Sequence, residues 1–411
     1  MSSIWDLVVG HDEAVAMLKE AVAAERVTHA WLFTGPPGIG KLHTARVFAA
    51  ALNCPAGGDG TCDTCRRILR GVHPDVHLIV PEGDNLLVED VRAVREEASM
   101  THHEARTAVF ILDEADRMTE AAANALLKVL EEPPPEVVFV LVVRSAEALV
   151  GTVPSRARTL PFVSLSLAEL TAALGDDLQL DTGQTAWAAA ASHGRLARAR
   201  ALLADEAART RRSTVLDLTE RLASGQPSDA LAAAATVVAI ADEVAAAARV
   251  RQERELAELE EAFGTGRGTG ALRKRLETRH RRELRRARFD AIRDSLADLL
   301  GAYRDLALLA PAPPGTTGAP GATLAAPAGS GGAAADGEAP LVHPDKAGTF
   351  TRLAASIDPA TALRAAGAIE EADRRLAIGA APLLTLEAAF LSAQAALRGP
   401  VIPINRLAIR R

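Results

Sequence analysis

Short apolar runs alternate with amphipathic stretches through the first 160 or so residues. Trp31–Thr34, Val76–Val80, Ala108–Leu112 and Val137–Val143 are almost continuously apolar, as strands covered on both faces are. Between them, Asp12–Arg26, Leu42–Leu52, Val88–Met100 and Glu120–Glu132 carry apolar residues at helical spacing. The last must stop at Pro133-Pro134-Pro135, where a helix loses its donors and meets steric clash. This order predicts an α/β fold, a parallel sheet flanked by helices, over residues 1–163.

Beyond Pro161 the strand pattern ends. Leu165–Leu174, Thr185–Ala204 and Arg211–Ala223 predict a small all-α domain over 164–225. A second all-α domain over 226–411 follows, from Pro227–Val250, a break at Gly264–Gly270, Arg273–Leu309, Lys346–Ser356, Pro359–Ile378 and Leu384–Arg398. Ala310–Pro340 is rich in Ala, Pro, Gly and Ser with little charge, which predicts a disordered insertion.

A chain of 411 residues is long enough for two or three cores. Its net charge of -7 gives no global pull toward nucleic acid, so any such contact is local. The basic run Arg273–Arg288 reads in two ways: a solvated face beside the acidic Glu253–Glu261, or a contact with a DNA backbone. No aromatic residue interleaves it, which argues against single-strand stacking. The reading predicts no membrane span and no secretory leader, and 3 cysteines point to a reducing, cytoplasmic setting.

Candidate chemistry begins at Gly35-Pro36-Pro37-Gly38-Ile39-Gly40-Lys41, a G-x-x-x-x-G-K loop between a strand and a helix. Such a loop aims backbone N–H groups, a helix N-terminus and one ammonium at phosphate. The plainer alternative is a Gly/Pro-rich turn with a surface lysine. Leu42 stands where a hydroxyl normally ligates Mg²⁺, and an alkyl group cannot hold a hard cation. Val109–Asp116 is an apolar strand closing on Asp113-Glu114, placed as a metal-binding aspartate and a water-polarising glutamate of an ATPase. Cys54, Cys62 and Cys65 are three thiols with zinc spacing; Asp59 or His73 would complete the set, against three unligated thiols. Arg156, in Ser155-Arg156-Ala157-Arg158, is either a surface cation or an arginine offered to a neighbour's nucleotide.

Together, GPPGIGK, the cysteine loop after its helix, the DEAD of 113–116, NALLKVLEEPPPEVVF at 124–139 and SRAR at 155–158 resemble the bacterial DNA polymerase III clamp-loader AAA+ family. The match is best to its delta-prime branch, with gamma/tau the near alternative. It is specific over about residues 8–165 and looser at Arg285–Leu309 and Pro382–Leu397, which resemble the family's ring-forming helical collar. The resemblance implies a lid at 164–225, a collar at 226–411, and partners in other clamp-loader subunits (gamma/tau and delta), the sliding clamp and primer-template DNA. It implies ATP bound by Gly35 through Leu42, and zinc on Cys54, Asp59, Cys62 and Cys65, Asp59 standing for the family's fourth cysteine. Arg156 matches the family's trans-acting arginine, although Ala157 replaces a cysteine. Arg144 falls where ATPase members place a small γ-phosphate-sensing hydroxyl, and Gly194-Arg195 where a second-domain sensor arginine lies. Leu42 and Arg144 weaken hydrolysis in cis while Arg156 is kept, which implies a stator subunit with weak or no turnover. Its rivals are a gamma/tau-type motor and a zinc-dependent regulatory module with a vestigial nucleotide site.

Overall fold

The structure, a computed structural model, describes residues 3–81, 85–100, 104–149, 151–178, 181–263, 267–311, 341–377 and 379–398. Its first unit, up to Arg200, is built on five parallel strands in the order β2-β3-β4-β1-β5. They are β1 (Ala30–Thr34), β2 (Val76–Ile79), β3 (Ala108–Leu112), β4 (Val137–Val143) and β5 (Arg158–Pro161). The helices interleaved with them are α1 (Asp12–Ala23), α2 (Lys41–Asn53), α3 (Asp63–Arg70), α4 (Val88–Ala98) and α5 (Glu120–Glu131).

The sheet is covered on both faces, and side-chain alternation assigns each strand residue to one of two cores. Trp31, Phe33, Val109, Ile111 and Val140 join Leu18, Val47 and Phe48 of α1 and α2. Leu32, Phe110, Leu112, Phe139 and Leu141 join Val91, Val94, Leu126 and Leu130 of α4 and α5. Four of the strands coincide with the apolar runs. The fifth, β5, is an edge strand on which only Leu160 is buried, so its sequence carries no strand pattern. α3 is also absent from the apolar reading. It is a polar helix started by Cys62, whose Sγ accepts the Cys65 N–H, and ended at Gly71 with φ +71°.

α6 (Leu167–Leu178), α7 (Thr182–Ala191) and α8 (Leu196–Ala204) follow. The single helix expected over Thr185–Ala204 is broken at residues 192–195. His193 and Gly194 take φ of +54° and +79° there, and a Cβ at 194 would lie 2.6 Å from Ser164 Cβ.

The second unit, from Ala201 on, is all-helical in its described residues: α9 (Glu206–Ser224), α10 (Pro227–Phe263), α11 (Arg267–Leu309), α12 (Ala347–Ala354), α13 (Pro359–Ala377) and α14 (Pro382–Leu397). One stretch, residues 227–258, is apolar and long enough to cross a membrane by composition. Its apolarity is mostly alanine, and Ala230, Ala234, Val237 and Ala241 pack in the bundle core with Leu299, Tyr303 and Phe390. α10 runs past Val250 to Phe263, and α11 begins at Arg267; residues 264–266 of the expected break lie outside the described residues. Of the predicted insertion, so do residues 312–340. The basic run pairs across to α10: Arg273 with Glu260 at 2.5 Å, Arg279 and His280 with Glu255, Arg288 with Asp242 at 2.7 Å. Residues 342–346 are held by buried charge. Arg212 makes a two-pronged pair with Asp345 at 2.7 and 2.9 Å and meets His343 at 2.8 Å, while Asp305 accepts the N–H groups of Val342 and His343.

Candidate functional site

The phosphate loop joins the carboxyl end of β1 to α2. Gly35 has φ +140°, and a Cβ there would sit 2.2 Å from the Phe162 carbonyl oxygen, so only glycine permits the approach of the two backbones. Its N–H donates to the Arg144 carbonyl at 3.0 Å, which ties the loop to the end of β4. Lys41 is nearly buried, and its ammonium donates to the carbonyls of Gly35 and Pro36. A cation is therefore held against the loop that a phosphate would enter. Leu42 packs on the α1–α2 core. The nearest candidate substitute, Thr44, is fully buried, and its hydroxyl donates back to the Gly40 carbonyl at 3.1 Å. Neither side chain offers an oxygen to a metal.

β3 delivers Asp113, buried, to the same carboxyl edge; its Oδ1 accepts the Glu114 N–H at 3.1 Å. Glu114 adopts a left-handed backbone (φ +52°) and pairs with Arg117 at 2.9 Å. Arg144 is engaged within the DEAD segment: its Nε donates to the buried Asp116 carboxylate at 2.6 Å. Two groups reach the loop from elsewhere in the first unit. A Cβ at Gly38 would lie 2.9 Å from Arg195 Cδ, so the break between α7 and α8 lays Arg195 along the phosphate loop. His11 meets the Ile39 carbonyl through Nε2 at 2.9 Å, and burial lowers its pKa below the usual 6.5. Sequence reasoning passed over His11, because 28 residues separate it from its partner and no local motif marks it.

Arg156 lies elsewhere. It ends a 3-10 turn just before β5, at the amino edge of the sheet, whereas the phosphate loop leaves the carboxyl edge of the neighbouring β1. Extended chain from Ala157 to Phe162 spans roughly 16 Å. Arg156 pairs with Glu131, at the end of α5, at 2.5 Å and also donates to the Thr152 carbonyl.

The cysteine loop closes into one cluster. Single ligand atoms of Cys54, Asp59, Cys62 and Cys65 all lie within 4.8 Å of one another. A tetrahedral zinc with bonds of about 2.3 Å to sulfur and 2.0 Å to oxygen needs edges of about 3.8 Å (S to S) and 3.5 Å (S to O). Here Cys54 and Cys62 sulfurs are 3.8 Å apart, and Asp59 Oδ1 is 3.5 Å from Cys54 and 3.7 Å from Cys65. The donor set therefore fits the ion. The Cys62 N–H, then the Thr61 hydroxyl and N–H, hold the Asp59 carboxyl far below its ordinary pKa and so keep it an anion. Burial pushes the Cys65 thiol up; for Cys54 burial also raises it, but backbone donors from Asp59, Gly58 and Ala56 outweigh this and lower it. His73, the other candidate for fourth ligand, is outside the cluster: its Nδ1 accepts the Asp75 N–H, and its Nε2 is 3.9 Å from Glu104.

Residues 10–166 match the family described as DNA polymerase III, delta subunit. The DNA polymerase III subunit delta' of Bacillus subtilis is 40% identical over 152 residues, 36% of this chain and 46% of that protein. The gamma/tau subunit of Mycobacterium tuberculosis is 36% identical over 160 residues, 38% of this chain and 28% of its own. The chain thus spans less than half the length of these curated relatives. Among solved structures, a gamma subunit-related protein of Thermotoga maritima aligns over 93% of this chain and 99% of its own, with 15% identity and a TM-score of 0.39. The matched region contains the glycine loop, the DEAD strand, the cysteine cluster and Arg156, and over residues 10–166 the chain is similar to bacterial DNA polymerase III subunits of the delta' and gamma/tau kinds.

Proposed function

We propose that this protein is a delta-prime-like, cytoplasmic stator of the DNA polymerase III clamp loader. It supplies Arg156 to the ATP of a neighbouring subunit, helps load the sliding clamp on primer-template DNA, and hydrolyses little or no ATP itself. Its partners are gamma/tau and delta subunits joined through a helical collar at 226–411, with 164–225 as lid. Gly35 to Leu42 and Arg195 form its nucleotide cradle, with Asp113 and Glu114 beside it. Zinc on Cys54, Asp59, Cys62 and Cys65 fastens the loop after α2.

The observation that carries this reading is the placement of Arg156 on the opposite edge of the sheet from the chain's own phosphate loop. An arginine there serves a second subunit or none. Within the pocket, Leu42 removes the oxygen that would hold Mg²⁺, and Arg117 and Arg144 are both engaged with carboxylates of the DEAD segment. Phosphoryl transfer depends on a positioned Mg²⁺ and a free water-orienting group, so these features point to slow turnover in cis. The test is a reconstituted complex with an ATPase partner, comparing wild type with Arg156→Ala. Loss of the partner's hydrolysis supports the stator; no change supports a regulatory module with a vestigial site. A gamma/tau-type motor keeps one observation in its favour, the intact Lys41, Asp113 and Glu114. Vigorous ATP turnover by the isolated chain would establish it instead.

A further inference from the structure

The turn over residues 3–8 is seated on the cysteine loop. Ile4 N–H donates to the Gly58 carbonyl at 2.8 Å. A Cβ at Gly60 would lie 3.3 Å from Ile4 Cα, and one at Gly58 would lie 3.3 Å from Ile4 Cγ2. Ile4 is completely buried and Trp5 nearly so. The turn also carries its own cap: the Ser3 hydroxyl accepts the Trp5 N–H at 3.4 Å, and the Asp6 carboxylate accepts the Ser3 N–H at 2.8 Å. At its far end the Leu7 carbonyl meets His43 Nε2 at 3.0 Å, in the first turn of the phosphate-loop helix α2. His11, which touches the phosphate loop at Ile39, is four residues further on.

The surface that receives Ile4 is rich in glycine. Gly57, Gly58 and Gly60 all take positive φ between Cys54 and Cys62, and glycine in such a loop loses more conformational freedom on ordering than any other residue. The four donors Cys54, Asp59, Cys62 and Cys65 bracket these glycines, so closing on an ion would restrict them further. We propose that the metal cluster is the latch for residues 3–8: metal occupancy decides whether this turn is docked on Gly58 and Gly60, and so whether His43 and His11 are held at the nucleotide loop. The proposal rests on the zinc reading given above. Coupling of this kind is reciprocal, so the docked turn must also slow loss of the metal.

The experiment uses the full chain loaded with zinc, with hydrogen exchange followed at residues 3–8 before and after chelation. Zinc is expected at one equivalent, and chelation is expected to speed exchange of the Ile4 and Val8 amides by about tenfold or more while β3 and β4 stay protected. Ile4→Gly is expected to bind one equivalent too, and to yield it to a chromogenic chelator about tenfold faster than wild type. One equivalent of zinc with unchanged exchange at residues 3–8 after its removal would overturn the latch and leave the zinc reading standing. No stoichiometric zinc would overturn both. If chelation also exposes β3 and β4, the release rate decides: equal rates for wild type and Ile4→Gly refute the latch.

Discussion

The phosphate pocket and the turn bearing Arg156 belong to one sheet, yet they hold their charged groups in opposite ways. In the pocket, Lys41 is enclosed by loop carbonyls and Arg144 by a carboxylate, Asp116, that is 3% exposed. At the turn, Arg156 leans on Glu131, a carboxylate 49% exposed. A partner buried from water releases its ion only at the cost of an uncompensated charge, whereas an exposed pair is worth about 0–1 kcal/mol. The pocket is fastened and the turn is not. On the stator reading proposed above, Arg156 needs a home partner of just this weak kind, one that orients it without competing for it.

The contrast predicts effects of very different size. The largest is on the neighbour: Arg156→Ala should slow ATP hydrolysis by the adjoining subunit about 10³-fold or more, with nucleotide binding by this chain unchanged. Arg156→Lys should not restore the rate, because an ammonium cannot span two phosphate oxygens as a planar guanidinium does. Steady-state hydrolysis by the reconstituted complex measures both. Next comes Asp116→Ala. It strips Arg144 of its buried partner and should lower stability by about 2 kcal/mol, less than a fully enclosed pair would cost because Arg144 is itself one-third exposed. Denaturant midpoints read this, and an unchanged midpoint would mean the pocket is no more fastened than the turn.

Why one half of this contrast was legible in sequence and the other was not is a matter of range. β1, β3 and β4 announce themselves because both faces of each strand are covered, Phe33, Ile111 and Val140 lying in one core and Leu32, Phe110 and Leu141 in the other. β5 does not, since three of its four residues are exposed and its place is fixed by pairing with β1. The glycine loop and Asp113-Glu114 are written in contiguous residues, so both stand out in the sequence as candidates. Their partners are not: His11 meets Ile39 over 28 positions, Arg144 meets Asp116 over 28 and Arg156 meets Glu131 over 25. Nothing in spacing says that Arg144 is engaged with Asp116. In the second unit, alanine-rich helices such as α10 show their existence clearly but their inner face poorly, because alanine is tolerated on either side.

Two smaller effects sharpen the pocket side. Leu42→Thr restores a hydroxyl at the mouth of α2, and ATP binding should become Mg²⁺-dependent and about tenfold tighter. Turnover should stay low, since Arg117 and Arg144 still occupy the DEAD carboxylates. Titration with a fluorescent ATP analogue, with and without Mg²⁺, separates binding from catalysis. His11 adds a pH signature. Burial depresses its folded pKa below the unfolded 6.5, so the unfolded chain binds more protons in that range. Stability contributed by the neutral ring is present above pH 6.5 and lost as pH falls below it through the folded value. His11→Gln keeps a donor for the Ile39 carbonyl and should flatten that portion of the stability–pH curve.

The smallest effect is the most direct trial of the weak-partner idea. Glu131→Gln removes the charge that Arg156 faces while keeping an acceptor of the same shape 2.5 Å away. Both side chains are substantially exposed, so folding stability should fall by no more than about 0.5 kcal/mol. The neighbour's hydrolysis should hold level or rise slightly, because the arginine loses a competitor and not its scaffold: Thr152 still accepts from it, and β5, which begins two residues later at Arg158, still pairs with β1. A fall in that rate approaching the Arg156→Ala value would place Glu131 among the groups that aim the guanidinium. The carboxylate would then be a rigid support for the arginine, and the difference between fastened pocket and loosely held turn would disappear.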